Sequence, residues 1–357
     1  MDKKDEIIAS LIELIRQMTE SNIKRLGEDI WGRVPSVSEK DAAGKKKPPA
    51  KSAGDAAAPE KEKKEELPPP ENLDDLLAEL DSYIGLSEVK KEVRGLINMA
   101  KVYKLRREHD LPVEDVSLHM VFSGNPGTGK TMIARFMARV YRSIGILSKG
   151  TLVECDRGGL VAGYIGQTAI KTTGVLESAL GGVLFIDEAY ALTNKTENDF
   201  GLEAVDTVLK YMEDHRDDLV VIVAGYTELM EDFIDSNPGL RSRFNKYVDF
   251  ADYTGDEMTD IFVFRCKKGC YTVSDDAEEI LRDYFAAAAD DAGEFGNARG
   301  VRNVFEKILS AQADRLAGME TVTKDDLMLL TADDVNEALG FTMPERENTE
   351  KAEEETN

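Results

Sequence analysis

Gly124-Asn125-Pro126-Gly127-Thr128-Gly129-Lys130-Thr131 decides how this chain of 357 residues is read. The octet fits the pattern Gly-x-x-x-x-Gly-Lys-Ser/Thr. A β-rich apolar run over 118–123 leads into it, and helical periodicity over 130–144 follows. In that setting the glycines let backbone N–H groups turn inward on a phosphate, and the helix presents its positive end. Asn125, Pro126, Gly127, Thr128 and Gly129 then form a phosphate cradle. Lys130 reaches the outer phosphates, and the Thr131 hydroxyl is a ligand for Mg2+.

Further along, Gly182-Val183-Leu184-Phe185-Ile186-Asp187-Glu188 is an apolar strand that ends in two acids. A buried strand has no packing use for adjacent carboxylates at its carboxyl edge, which is where ligands bind in open α/β sheets. Asp187 is expected to support a hydrated Mg2+ and Glu188 to polarise the attacking water. Other strand candidates lie at 151–155, 219–224 and 246–250, separated by helical patterns at 168–180, 201–215 and 227–235. Strands that alternate with helices predict a mainly parallel five-stranded sheet covered on both faces.

After residue 250 the strand signal largely stops. Thr254 with Glu257 and Thr331 with Asp334 have capping-box spacing, and Ser274 suits an N-cap. An α/β domain over 72–250 followed by an all-helical lid over 251–340 is expected. Ahead of both, Ile7, Leu11, Ile15, Met18, Leu26 and Ile30 make one apolar stripe, so 1–34 reads as an amphipathic helix. Residues 35–71, rich in Ala, Lys, Glu and Pro, lack the apolar surface to offset ordering entropy and read as a flexible linker. A helix on a tether is either a docking or self-association element, or folds back on the main domain. Residues 341–357 read as a disordered acidic tail.

The balance of 69 acidic to 45 basic residues, a net charge of -24, argues against nonspecific nucleic-acid or anionic-membrane binding. No apolar run approaches the ~20 residues a membrane span needs. The first residues carry both signs of charge, unlike a signal peptide, so a cytoplasmic location is expected. The three cysteines fit a reducing compartment. Cys266 and Cys270 are expected as two small buried side chains on a lid helix and not as metal ligands.

The phosphate loop, the Asp-Glu pair and the helical lid together resemble the AAA+ ATPases. More closely, SLHMVFSGNPGTGKT (117–131), YIGQTA (164–169), GGVLFIDEAYAL (181–192), DFGLEAVDTVLKYMEDHRDDLVVIVAGY (199–226) and NPGLRSRF (237–244) look like the CbxX/CfqX family. That family includes red-type Rubisco activases and stage V sporulation protein K, and the likeness covers about residues 72–340.

The resemblance implies a P-loop ATPase that uses Mg2+, forms a homo-oligomeric ring, hexameric in the family, and remodels a client protein. It places Ile84 and Gly85 beside the adenine base, and Tyr164, Ile165 and Gly166 in a central pore loop. Arg243, with Arg241 in reserve, would reach a neighbour's nucleotide. Arg299 would be the lid's sensor, with Arg302 one turn away. After the fourth strand the polar sensor found in many AAA+ proteins is replaced by Tyr226-Thr227, either of which could take the role. The alternative is a nucleotide-dependent switch or assembly scaffold that docks through residues 6–31 and moves no client.

Overall fold

Alternating side chains of the strands feed two apolar cores. Met120 and Phe122 point to one and Val121 to the other; Phe185 and Ile222 join the first, while Leu184, Ile186, Val221 and Val223 join the second. Such strands must be covered on both faces. The computed structural model describes residues 68–112, 117–164, 166–193 and 200–340. Residues 1–34, nearly all of the linker, Ile165 and the acidic tail lie outside the described residues.

Helices α1 (Leu73–Ser82) and α2 (Ser87–Glu108) precede β1 (Met120–Gly124), α3 (Lys130–Ser143) and β2 (Leu152–Cys155). Next come α4 (Thr168–Ala179), β3 (Val183–Ile186), α5 (Gly201–Asp214), β4 (Val220–Gly225), α6 (Thr227–Asp235), α7 (Pro238–Arg243) and β5 (Lys246–Phe250). The sheet has five strands in the order β2-β3-β4-β1-β5, and every pairing is parallel. Helix α3 packs on the first core, and α4, α5 and α6 pack on the second. All carboxyl ends therefore lie along one edge. Strands β3 and β4 are buried along their whole length, and each fully buried Val, Leu or Ile contributes about 1.5–3 kcal/mol.

The lid follows as α8 (Gly255–Lys268), β6 (Thr272–Val273), α9 (Asp275–Ala288), α10 (Asn297–Ala317), β7 (Leu329–Leu330) and α11 (Ala332–Leu339). The capping boxes at Thr254/Glu257 and Thr331/Asp334 form, and Ser274 caps α9 by accepting from the Ala277 N–H. The helical lid also holds a short parallel pairing of β6 with β7. Phe262 lies 5.9 Å from Phe285 and 5.7 Å from Phe305. This aromatic cluster belongs to the same apolar core as α3 and one face of the sheet, so lid and sheet share buried surface.

The cysteine expectation needs correction. Cys266 is buried in α8, but Cys270 is exposed at φ +59°, beyond the helix end. The chain turns there to enter β6, the Tyr271 N–H reaching back 2.8 Å to the Cys266 carbonyl. The two thiols do not share a helix face.

Candidate nucleotide-binding and hydrolysis site

Between β1 and α3 the backbone passes through φ values of +137° at Gly124, +77° at Gly127 and +98° at Gly129. Space is as restrictive as conformation. A Cβ on Gly124 would stand 2.3 Å from the Phe250 carbonyl oxygen, and one on Gly127 2.2 Å from that of Gly296. Only glycine satisfies both demands. The Thr128 hydroxyl donates to the Asn125 carbonyl at 2.8 Å. Lys130 opens α3 and curls back, its Nζ donating to the carbonyls of Gly124 at 2.7 Å and Asn125 at 2.8 Å. Burial pushes the Lys130 ammonium down to about 8, with Asp187 acting the other way and Arg299 adding to the fall. A half-buried cation beside a glycine-rich loop at a helix start suits a polyanionic phosphate chain.

Lys130, Thr131, Asp187, Glu188, Tyr226 and Arg299 border one cavity at the carboxyl edge. Asp187 follows the last residue of β3, and one of its carboxylate oxygens accepts from the Glu188 N–H at 3.1 Å. Glu188 holds φ +49°, a conformation that costs a non-glycine residue about 1–3 kcal/mol. That turn sets the two carboxylates on the cavity wall instead of in the second core. The Thr131 hydroxyl and Asp187 carboxylate are hard oxygen donors on the same cavity and fit Mg2+.

The comparisons with known proteins agree with this geometry. Residues 120–252 match the ATPase family associated with various cellular activities (AAA), and residues 254–345 match the AAA lid domain. Stage V sporulation protein K of Bacillus subtilis is 40% identical, over 74% of this chain and 83% of its own. Protein CbxX (plasmid) of Cupriavidus necator is 43% identical over 72% and 82%, respectively. The chloroplastic ribulose bisphosphate carboxylase/oxygenase activase of Cyanidioschyzon merolae is 42% identical over 74% and 90%. The chain belongs to the AAA+ ATPases of the CbxX/CfqX family. Solved structures share the fold at lower identity. The FIGL-1 AAA domain in complex with ADP aligns at TM-score 0.52 and 20% identity, over 78% of this chain and 93% of that one. A Thermotoga maritima RuvB mutant aligns at 0.51 and 20%, over 73% and 71%.

This AAA+ ATPase therefore hydrolyses ATP, and its remaining site candidates divide by position. Arg299 borders the cavity, whereas Arg302 turns away to donate to Glu306 at 2.7 Å. Tyr226 borders the cavity, its ring 6.2 Å from Tyr190, while Thr227 opens α6. Ile84 and Gly85 do not border it. Gly85, at φ +61°, lies against the Glu257 and Tyr253 side chains, and Leu86 approaches Gly129 beside the loop.

The pore-loop and α7 candidates also stand outside the cavity. Tyr164 is 74% exposed, with Gly166 at φ +76° beyond it. Arg243 donates to Glu213 at 3.1 Å and to the Gly239 carbonyl at 3.4 Å. Arg241 pairs with Asp235. Arg243 borders a separate cleft of about 890 Å³ at the amino edge of the sheet, beside His119 and Glu213.

Sequence reasoning missed the wall behind the phosphate loop. Asp252, Tyr253 and Asn297 bond to it from the lid side. Their only sequence signal is proximity to Thr254 and Arg299, because hydrogen bonds across 125 to 171 positions leave no local pattern.

Proposed function

We propose that this AAA+ ATPase works as a homo-oligomeric ring, six-membered by resemblance, that remodels a client polypeptide through a central loop carrying Tyr164. One subunit supplies Lys130, Thr131, Asp187 and Glu188, and the next supplies Arg243. The observation that carries this reading is the division of the arginines. The cavity's own guanidinium, Arg299, comes from the lid, while Arg241 and Arg243 sit at the end of α7, away from the chain's own cavity. A guanidinium aimed at the transferring phosphoryl group is worth about 10³–10⁵ in rate in related phosphate-loop enzymes. Among the described residues Arg299 is the one arginine that borders the cavity, and a second copy would add another.

Mg2+ supplies charge neutralisation at the phosphates when bound, held by Thr131 and Asp187. Glu188 orients the water and accepts its proton; Lys130 and the loop N–H groups hold the phosphates in line. Tyr164, an aromatic between glycines and largely in solvent, supports a grip on extended chain without sequence preference. Residues 6–31 are the proposed docking element, tethered by the linker.

Light scattering on a sizing column tests the ring. Glu188→Gln should retain ATP and shift from small species to a mass of about six subunits with Mg-ATP, since hydrolysis lacking its general base falls by about 10²–10⁴. A monomer at saturating ATP overturns the ring and favours a switch that docks through residues 6–31. Tyr164→Ala should leave basal ATPase within about twofold, as expected of an exposed side chain outside the site, and abolish remodelling. Remodelling at the normal rate would remove the pore loop from the mechanism.

A further inference from the structure

Asn297 is fully buried, sits at φ +53° and makes more polar contacts than packing would require. Its Oδ1 accepts from the Tyr253 N–H at 2.9 Å. Its Nδ2 donates to Asp252 Oδ1 at 2.7 Å and lies 3.3 Å from the carbonyls of both Pro126 and Ala292. The other oxygen of Asp252 accepts from Asn125 Nδ2 at 2.8 Å. Alongside, the Ala298 N–H donates to the Gly127 carbonyl at 3.2 Å. Pro126, Gly127 and Asn125 belong to the phosphate loop, Asp252 and Tyr253 to the joint between sheet and lid, and Ala292 and Ala298 to the lid.

We infer that Asn297 and Asp252 are positioning residues of the ATPase, a clasp through which the lid follows the phosphate loop and Arg299 is held on the cavity. Arg299 is two residues after Asn297 on α10, and the closeness of Gly127 to Gly296 leaves no slack between loop and lid. A shift of the loop on phosphate entry is thus passed to the helix that carries Arg299. The clasp works through charge and donor direction: one carboxylate accepts from two amides, and both amides belong to segments that must move together. A side chain that is buried, at positive φ and shared among three segments cannot relax independently.

Asn297→Asp is nearly isosteric and tests donor direction without changing volume. It sets two carboxyl groups against each other, which raises one pKa strongly. At about pH 8 the pair repels, and kcat should fall by about tenfold while nucleotide Kd, read with a fluorescent ADP, stays within about threefold. At about pH 6 a shared proton restores one hydrogen bond, and the ratio of variant to wild-type kcat should recover by at least about threefold. Asp252→Asn should also lower kcat, because the shared acceptor of Asn125 and Asn297 loses its charge. The double variant Asn297→Asp/Asp252→Asn restores a carboxylate opposite an amide, and should exceed Asn297→Asp at about pH 8. Melting temperatures of the nucleotide-free proteins accompany each measurement. The inference is overturned if kcat and nucleotide affinity fall together in step with melting temperature, if Asn297→Asp keeps normal kcat at about pH 8, or if the double variant is no better than Asn297→Asp.

Discussion

The carboxyl and amino edges of this one sheet are built in opposite ways. At the carboxyl edge the backbone does the work. Glycines at positive φ, the start of α3, the strained Glu188 turn and the end of β4 converge on Lys130 and form a cavity within one chain. At the amino edge side chains gather instead. Arg243, held by Glu213, and the buried His119 border a cleft of about 890 Å³, lined also by Arg216 and Asp217. A chemical centre has to be rigid before its substrate arrives, whereas a group meant for another molecule has to be held near the surface. The first edge has the makings of a site; the second carries the arginine proposed to act on a neighbour.

Substitutions at the two edges should break differently. The largest effect is expected for Arg243→Ala, which should lower kcat by about 10³, or about 4 kcal/mol of transition-state stabilisation, with nucleotide Kd unchanged. Arg243→Lys should not restore it, because an ammonium lacks the planar fork. If steady-state ATPase of Arg243→Ala matches wild type at concentrations where the ring forms, the amino edge has no part in hydrolysis.

Gly127→Ala comes next and acts at the carboxyl edge. The new Cβ meets the Gly296 carbonyl at 2.2 Å and sits at φ +77°, so stability should fall by about 2–3 kcal/mol through positive-φ strain and lid displacement. Chemical denaturation followed by circular dichroism reads this directly. An unchanged midpoint would mean that the lid does not lean on the phosphate loop.

At His119 the effect of pH is confined to the acid range and vanishes at neutrality. Its Nδ1 accepts from the Val221 N–H at 2.9 Å, and burial, with Arg243 adding, pushes the imidazole down to about 4. Between its ordinary value and that one, the unfolded chain takes up a proton that the folded chain refuses. This contribution to stability is therefore present at neutral pH and is lost as pH falls through that window, by about 3 kcal/mol in all. His119→Asn keeps the acceptor but does not titrate, so its stability relative to wild type should improve as pH drops from 7 towards about 4. A constant difference between the two would place the imidazole in solvent.

The sequence by itself determined the sheet, the phosphate loop and the two acids, because each is written in local terms. Alternation marks a strand, glycine spacing marks a loop at positive φ, and charge at the end of an apolar run marks a strand's carboxyl edge. Of the predicted strands, 246–250 coincides with β5, and the others differ by one or two residues at one or both ends. Local terms also produced the capping boxes of the lid. Only the tertiary structure decided that Arg299 and not Arg302 faces the cavity, that Tyr226 borders it, that Cys270 leaves the helix, and that Asp252 and Asn297 clasp the phosphate loop. Those outcomes depend on which surfaces meet across the fold. Residues separated by more than 40 positions, such as Asp252 and Asn297, are joined by packing of the lid against the sheet and not by anything in their own neighbourhood.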